Sequence, residues 1–304
     1  KENKSVIFIS HDLDEIMEVC DTLTVLRDGK IIRTFEKAEF EAGAIRASMI
    51  GRELQGDYYR SDFQASSQPE VALDVRNLVY EDRLKGISFQ VHKGEIVGIG
   101  GLAHCGMHSL GKVCFGALKP EEGSVTVEDG TIIDSPAIAM KKRVGYVSKD
   151  RDVESLCLNA SIEDNISIAG MSEFAINNFL ILKNREKKYV NHQIEELSIK
   201  CAGRDQSVSQ LSGGNKQKVV FGKWIGCGSE ILILDCPTRG VDIGVKQAMY
   251  QLMVRLKNEG KSILMISEEL PELIGMSDRI LIMKNGEVSA EFERSETLSD
   301  AQII

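Results

Sequence analysis

The chain has 304 residues, a formal net charge of −9, 42% hydrophobic and 27% charged residues, and a pI near 5.3. This composition is ordinary for a globular protein, and its acidic balance speaks against a nucleic-acid partner. Its seven cysteines include no Cys-x-x-Cys pair, which disfavours a disulfide framework or zinc ribbon and favours reduced thiols. No apolar run approaches the roughly 20 residues that span a bilayer.

The first predicted elements occur again near the end of the chain. Glu2–Ile31 aligns without a gap with Glu259–Val288. In each copy a short apolar run, Ser5–Ile9 or Ser262–Ile266, predicts a buried strand. A serine-capped helix, a second strand and a glycine turn follow. Because the chain opens in what reads as the middle of a fold, we interpret it as a piece of a longer protein.

A short helix is predicted over Ala38–Ile50, and the polar segment Gly56–Pro69 reads as a linker. The pattern then restarts with strands near 73–76, 86–91, 95–99, 124–127, 144–147, 231–235, 262–266 and 279–283. A helix-rich stretch covers Ser161–Lys200, and strands alternating with helices predict an α/β fold. We therefore predict the tail of a first domain over 1–55, a linker over 56–69 and a second, complete domain over 70–304.

The strongest motif is Leu-Ser-Gly-Gly-Asn-Lys-Gln-Lys at Leu211–Lys218. Glycines at a helix start let backbone amides approach an anion, and Ser212 adds a hydroxyl. The apolar strand Ile231–Asp235 then ends in a carboxylate at the sheet edge where α/β proteins bind ligands, a place suited to Mg²⁺. Each pattern alone also fits an ordinary cap or strand end, but their order and spacing together are specific.

These motifs resemble the ATP-binding subunits of ABC transporters, most closely the fused two-domain subunits of bacterial ribose-, galactose- and xylose-type importers. The signature Ser212-Gly213-Gly214-Asn215, the stretch Pro237–Asp242 and the stretch Ile266–Glu272 carry the likeness, and Ile9-Ser10-His11 resembles the end of the first domain. The resemblance implies a P-loop NTPase-like ABC ATPase fold: a mixed sheet core with an antiparallel β subdomain and a helical subdomain.

The resemblance also implies a role and partners. It implies ATP and Mg²⁺ as cofactors, bound mainly at a site shared with the first domain. In that site His11 is the switch histidine, and the signature residues of the second domain contribute in trans: Ser212, Gly213, Gly214 and Asn215. It implies membrane permease subunits, a first ABC domain and, indirectly, a sugar-binding protein as partners, at the cytoplasmic face of the membrane. Segments after Tyr146, near Ser148–Arg151, are the expected coupling region.

The sequence departs from the family pattern at its own phosphate loop. The glycines Gly101 and Gly106 keep the spacing of G-x-x-x-x-G-K-[ST], but Met107 replaces the lysine and His108 the hydroxyl residue. A thioether carries no charge, and Mg²⁺ prefers oxygen to imidazole. We predict that this loop does not support hydrolysis and that the chain alone is inactive.

Two further positions depart from the pattern. Cys236 replaces the catalytic glutamate after Asp235, and Glu268 stands where the switch histidine is expected. Loss of charge, metal ligand and water-orienting carboxylate removes most of what phosphoryl transfer relies on. One alternative is that His104, Cys105 and His108 form a zinc site. The simpler interpretation is that the sequence of a loop under relaxed constraint has drifted.

Two other functions compete with the transporter subunit. A soluble translation factor with paired ABC domains is expected to keep both catalytic glutamates and a long charged interdomain helix, so Cys236 and the short linker speak against it. A non-hydrolysing regulatory module is supported by the altered loop, but the preserved Ser212-Gly213-Gly214 and Asp235 do not call for it.

Overall fold

The computed structural model describes residues 4–10, 13–27, 29–50, 58–176 and 180–303. The chain divides into two compact units. The first holds residues up to Tyr58 together with Val241–Ala248, and the second holds Tyr59–Gly240 with Met249–Ile304. None of the helices in the described ranges is both long and apolar enough to cross a bilayer.

The strands, in chain order, are β1 Thr22–Arg27, β2 Lys30–Glu36, β3 Val71–Tyr80, β4 Leu84–His92, β5 Ile96–Gly101, β6 Glu122–Val127, β7 Val144–Val147, β8 Ala175–Ile176, β9 Leu180–Ile181, β10 Ile231–Asp235, β11 Ser262–Ile266, β12 Arg279–Lys284 and β13 Glu287–Glu293. The helices are α1 Leu13–Val19, α2 Ala42–Ile50, α3 Met107–Cys114, α4 Pro136–Lys141, α5 Ile162–Ser167, α6 Met171–Phe174, α7 Lys183–Glu196, α8 Gly213–Gly226, α9 Ile243–Asn258, α10 Leu270–Met276 and α11 Asp300–Ile303.

A six-stranded mixed sheet forms the core of the larger unit, in the order β13-β12-β5-β11-β10-β7. Strands β12, β5, β11, β10 and β7 run parallel, and only β13 pairs antiparallel within this sheet. Strands β10 and β11 are buried along their whole length, as expected for central parallel strands covered on both faces. Their carboxyl ends therefore meet at one edge of the sheet.

Two smaller parts complete this unit. Strands β4, β3 and β6 form an antiparallel sheet, and β8 and β9 a two-stranded hairpin. Helices α5 and α7, in the stretch predicted to be helix-rich, pack on each other and on α8, which follows that stretch. The predicted ABC architecture of mixed core, antiparallel β subdomain and helical subdomain is therefore confirmed.

The internal repeat is present in the structure as well as in the sequence. Helix α1 and strands β1 and β2 begin and end 257 residues before α10, β12 and β13, the same offset that separates Glu2 from Glu259. Both hairpins carry their register shift at the same place, between Val25 and Leu26 and between Ile282 and Met283. In the smaller unit Leu13, Val25, Phe35 and Ile45 form the core around this hairpin.

The first strand of the N-terminal copy was predicted wrongly. Residues 5–9 form no strand, and the side chains of Val6, Ile7 and Ile9 are 83%, 92% and 92% exposed. The matching strand β11 lies between β5 and β10, which satisfy its backbone groups on both sides. The described residues offer residues 5–9 no such neighbours, so the apolar sequence alone does not form a strand.

The described part of the predicted linker, residues 58–69, is mostly exposed, but Arg60 and Ser66 hold it to the rest of the larger unit. Arg60 is buried and ion-paired with Asp278 at 3.0 Å, and Lys257 reaches the other oxygen of Asp278 at 3.1 Å. Asp278 also accepts hydrogen bonds from the backbone N–H of Ile96 at 2.8 Å and of Ser66 at 3.2 Å. This group, the Asp278 cluster, joins the segment to β5, α9 and β12.

Candidate functional site

The candidate site lies where the parallel strands end. Beyond β5 comes the predicted phosphate loop, beyond β7 comes Lys149, β10 ends in Asp235, and β11 is followed by Glu268. In α/β folds the carboxyl ends of neighbouring strands bring such loops together, so residues far apart in sequence meet there.

The loop after β5 keeps its glycines for a steric reason. Gly106 precedes α3 with a φ of 100°, and a Cβ there would lie 2.0 Å from the carbonyl oxygen of Arg83. A Cβ on Gly101 would lie 2.4 Å from the carbonyl oxygen of Met283. Met107, at the position of the expected lysine, is 2% exposed and begins α3 as a core residue. The loop therefore retains a compact backbone without a cation at Met107.

His108 is the centre of a polar cluster. Its Nδ1 lies 2.7 Å from Oδ1 of Asp235, and its Nε2 lies 3.3 Å from Oε1 of Glu268. The Asp235 carboxylate is fully buried, whereas the His108 side chain is 29% exposed. The structure therefore brings three predicted positions together: the changed hydroxyl position, the strand-end aspartate and the changed switch position.

Sequence reasoning missed two members of this cluster, Tyr146 and Lys149. The Lys149 ammonium donates to Glu268 at 2.5 Å and lies 2.9 Å from His108 Nε2. The Tyr146 hydroxyl donates to Oδ2 of Asp235 at 3.3 Å. Both residues lie at or just beyond the end of β7, which pairs with β10. A prediction from sequence could not place them in the site because it did not include this pairing of strands.

The charges in the cluster shift the pKa values of its members. The hydrogen bond from Lys149 is the largest cause that lowers the pKa of Glu268, which therefore stays ionised. Burial, followed by the nearby Asp235 carboxylate, raises the pKa of the Tyr146 hydroxyl and of the Cys236 thiol well above their usual range. The cluster is thus an ion-paired network with a neutral thiol and phenol beside it.

Cys236 follows Asp235 in an unusual backbone conformation. Its φ is 50°, in the left-handed region, while its N–H donates to the carbonyl of Ile266 at 2.8 Å. Such a conformation is uncommon for a residue with a side chain and is often found at functional sites. A small pocket lined by Cys236, Thr238, Arg239 and Glu268, among others, lies against it.

One ligand atom each from His108, Asp235 and Cys236 lies within 4.8 Å of the others. His104 and Cys105, proposed with His108 as an alternative zinc site, do not belong to this group. His104 lies in the turn before α3 rather than on a helix, so the helical spacing that this alternative required is absent. The donor set of nitrogen, sulfur and carboxylate oxygen is not the all-oxygen set that Mg²⁺ prefers, so these residues do not fit a magnesium ion held by this loop.

The signature residues form a second candidate binding site, at the N-terminus of α8. Ser212 caps this helix, accepting from the backbone N–H of Asn215 at 3.5 Å and from its side-chain amide at 2.9 Å. Ser212 is exposed and Gly213 half-buried. A Cβ on Gly213 would lie 3.0 Å from the Arg151 guanidinium and 3.1 Å from the Gly240 carbonyl oxygen, so glycine fits a crowded helix start.

Arg151 connects the expected coupling segment to the signature helix. It donates to the carbonyl of Arg239 at 2.6 Å and of Gly240 at 3.3 Å, and to the side chain of Gln217 on α8 at 3.4 Å. Burial lowers the pKa of Arg151. The predicted switch histidine, His11, lies outside the described residues.

Comparisons with known proteins agree with this architecture. The order of strands, the glycine loop before α3 and the serine-capped helix α8 define an ATP-binding-cassette domain. Residues 84–239 match the ABC transporter family, and the chain belongs to that family.

Two similar proteins carry the name ribose import ATP-binding protein RbsA. The protein of Clostridium tetani is 38% identical over 98% of this chain and 59% of its own length. The protein of Bacillus subtilis is 38% identical over 99% of this chain and 60% of its own length. The chain thus spans about three-fifths of these curated relatives.

Solved structures resemble the fold. The cbiO1 protein from Clostridium perfringens, part of the ABC transporter complex cbiONQ, has a TM-score of 0.63 and 26% identity, covering 77% of this chain and 93% of that one. The ADP conformation of MJ1267, an ATP-binding cassette, has a TM-score of 0.61 and 23% identity, covering 73% and 91%. The latter likeness concerns the fold alone.

Proposed function

We propose that this chain is part of an ATP-binding subunit that powers the import of a simple sugar through a bacterial ABC transporter. The signature serves a nucleotide site shared with a first ABC domain, and this chain's own phosphate loop is degenerate. Support comes from membership of the ABC transporter family and from two relatives named for ribose import.

The observation that carries the proposal is the combination of an intact signature and an altered loop. At the start of α8 the exposed Ser212 hydroxyl and the amides after it lie at the positive end of a helix dipole, which favours binding of an anion. At the altered loop Met107 is buried and His108 is paired with Asp235. The start of α8 is thus suited to phosphate binding, whereas the altered loop lacks the cation and the hydroxyl group that phosphoryl transfer uses.

The cofactors and partners of this proposal follow from that division. ATP with Mg²⁺ binds mainly at the shared site, where His11 acts as the switch histidine and Ser212, Gly213, Gly214 and Asn215 bind the terminal phosphate in trans. When bound, ATP supplies the free energy for closure of the two domains. Arg151 transmits that closure from α8 to the segment that contacts the permease, at the cytoplasmic face of the membrane.

A paired test uses Ser212→Arg and Ser209→Arg, both serines being exposed and three residues apart. Mg²⁺-dependent ATP hydrolysis is measured with the chain alone and with the chain joined to a first ATP-binding domain. We expect the chain alone to be inactive and the joined protein to hydrolyse ATP. Ser212→Arg places bulk and charge where the phosphate binds, and should lower the rate by about 100-fold or more, whereas Ser209→Arg should leave it near the parent rate.

Either of two results contradicts the proposal. Hydrolysis by the chain alone at the rate of the joined protein shows that the loop with Met107 and His108 is catalytically competent. Unchanged hydrolysis in joined Ser212→Arg shows that the signature does not serve the shared site. If the joined protein binds ATP but never hydrolyses it, the regulatory, non-hydrolysing alternative replaces the proposal.

A further inference from the structure

We propose that His108, Asp235 and Cys236 form a binding site for a borderline transition-metal ion, with Zn²⁺ the preferred occupant. The proposal concerns the chain's own altered loop and does not depend on the role of the signature. It assigns a use to the residues that make this loop unsuited to magnesium.

The geometry of the three side chains suits one ion. Their ligand atoms lie within 4.8 Å of one another, and His108 Nδ1 and Asp235 Oδ1 are 2.7 Å apart. Tetrahedral zinc bonds of about 2.0–2.3 Å place ligand atoms roughly 3–4 Å apart. Small side-chain rotations therefore bring the three atoms to bonding distance without moving β10 or α3.

The chemistry of the donors selects the ion. A thiolate and an imidazole bind zinc and similar metals more strongly than they bind Mg²⁺, which prefers oxygen ligands and octahedral geometry. When Zn²⁺ binds, the thiol proton of Cys236 passes to solvent and a sulfur–metal bond replaces it. Three protein ligands leave a fourth position for water.

Outer partners already hold two of the ligands as they are held in metal sites. Oδ2 of Asp235 accepts from the Tyr146 hydroxyl at 3.3 Å, which orients Oδ1 towards His108. Nε2 of His108 lies 3.3 Å from Glu268 and 2.9 Å from the Lys149 ammonium. With the ion on Nδ1, Nε2 carries the ring proton and donates to Glu268, while Lys149 gives up its contact with the ring and keeps its bond to Glu268. Such carboxylate–histidine–metal arrangements fix the ring and strengthen binding.

The site also has a route for the ion. A small pocket is lined in part by Cys236 and Glu268, and the His108 side chain is 29% exposed while Asp235 and Cys236 are buried. The exposed part of His108 therefore gives an ion access to the cluster from solvent.

The test loads the whole chain, without nucleotide, with Co²⁺ as a spectroscopic probe and with Zn²⁺. We expect one Co²⁺ per chain, with a thiolate-to-cobalt charge-transfer band and visible bands of tetrahedral intensity, both displaced by Zn²⁺. Cys236→Ser should abolish the charge-transfer band. His108→Asn and Cys236→Ser should each weaken Zn²⁺ binding by about tenfold or more, measured by competition with a chelator.

Matched controls separate this site from other donors. His104→Asn removes the other imidazole of the loop and keeps a residue that tolerates its φ of 65°, and Cys157→Ser removes an exposed thiol. Both controls should keep the band and the affinity. Circular dichroism and urea unfolding show whether each variant is folded, and a misfolded Cys236→Ser leaves the half-exposed His108→Asn as the deciding variant.

Three results overturn the proposal. One is a Co²⁺ spectrum without a thiolate band. Another is loss of the band in Cys157→Ser or His104→Asn instead of Cys236→Ser. The third is Zn²⁺ displaced by Mg²⁺ at similar concentration, which makes the site an ordinary magnesium site.

Discussion

At the scale of single residues, the loop between β5 and α3 has the glycine spacing of a phosphate loop but not its side chains. Its glycines are fixed by backbone atoms of Arg83 and Met283, while Met107 and His108 carry chemistry unlike that of a phosphate loop. We therefore expect the two glycines to be needed for folding of the loop, whatever ligand the loop binds.

Gly106→Ala tests that dependence, with Gly130→Ala as its control. Both glycines have positive φ, 100° and 77°, but a Cβ at Gly130 meets nothing within 4 Å, whereas one at Gly106 meets the Arg83 carbonyl. Gly130→Ala should cost about 1–2 kcal/mol of unfolding free energy from conformation alone, and Gly106→Ala more than that. Urea unfolding followed by the fluorescence of the single tryptophan, Trp224, measures both. Equal losses would mean that the loop relaxes freely around an added methyl group.

The sequence identified much of the candidate site. Residues at fixed spacing within a motif, such as Gly101, Gly106 and His108, were found because the spacing itself is the signal. Tyr146 and Lys149 were not placed in the site, because their approach to Asp235 depends on β7 pairing with β10, and strand order is not written in local sequence. The association of Asp235 with Mg²⁺ stays a prediction, against which the imidazole of His108 and the thiol of Cys236 beside it speak.

At the scale of elements, the Asp278 cluster joins segments that are distant in the chain. Burial would lower the pKa of Arg60, but the bonds and charges of Asp62 and Asp278 raise it above its usual value. A buried pair of this kind contributes modestly to stability as a whole, yet is costly to break from one side.

Asp278→Ala should therefore destabilise the larger unit strongly. The substitution leaves the buried cations of Arg60 and Lys257 without their shared carboxylate, at a cost of about 3–5 kcal/mol. Asp205→Ala is the control, because the Asp205 side chain is 87% exposed and its contact with Arg204 is long, at 3.9 Å. Urea midpoints of both variants measure the difference. Similar midpoints would show that water replaces the carboxylate at no great cost.

Elements were predictable from sequence wherever the chain supplies their neighbours. The ends of β7, β10 and β11 are those that the apolar runs indicated. The same kind of run at residues 5–9 forms no strand, although its repeat partner β11 does. A hydrophobic pattern therefore specifies a strand only together with at least one partner strand, as β10 is for β7 at the edge of the sheet.

At the scale of the whole molecule, the two copies of the repeat differ in what surrounds them. The C-terminal copy contributes β12 and β13 to the six-stranded sheet. The N-terminal copy forms a hairpin of its own with α2 packed beside it. The assignment of the first unit to the end of a first ABC domain, with a boundary near 56–69, stays a prediction.

We expect the exposed run Ser-Val-Ile-Phe-Ile at residues 5–9 to promote self-association of this chain. An uncharged, apolar segment of this length with high β-propensity is a template for intermolecular strands. Light scattering against concentration should show self-association that Ile7→Lys suppresses and Val153→Lys, at an isolated exposed valine of 79% exposure, does not. Equal scattering from both variants would show that a surface other than residues 5–9 causes the self-association. With suppression by Ile7→Lys alone, residues 5–9 would be the seed of intermolecular β-sheets, and any surface that paired with them would prevent the self-association.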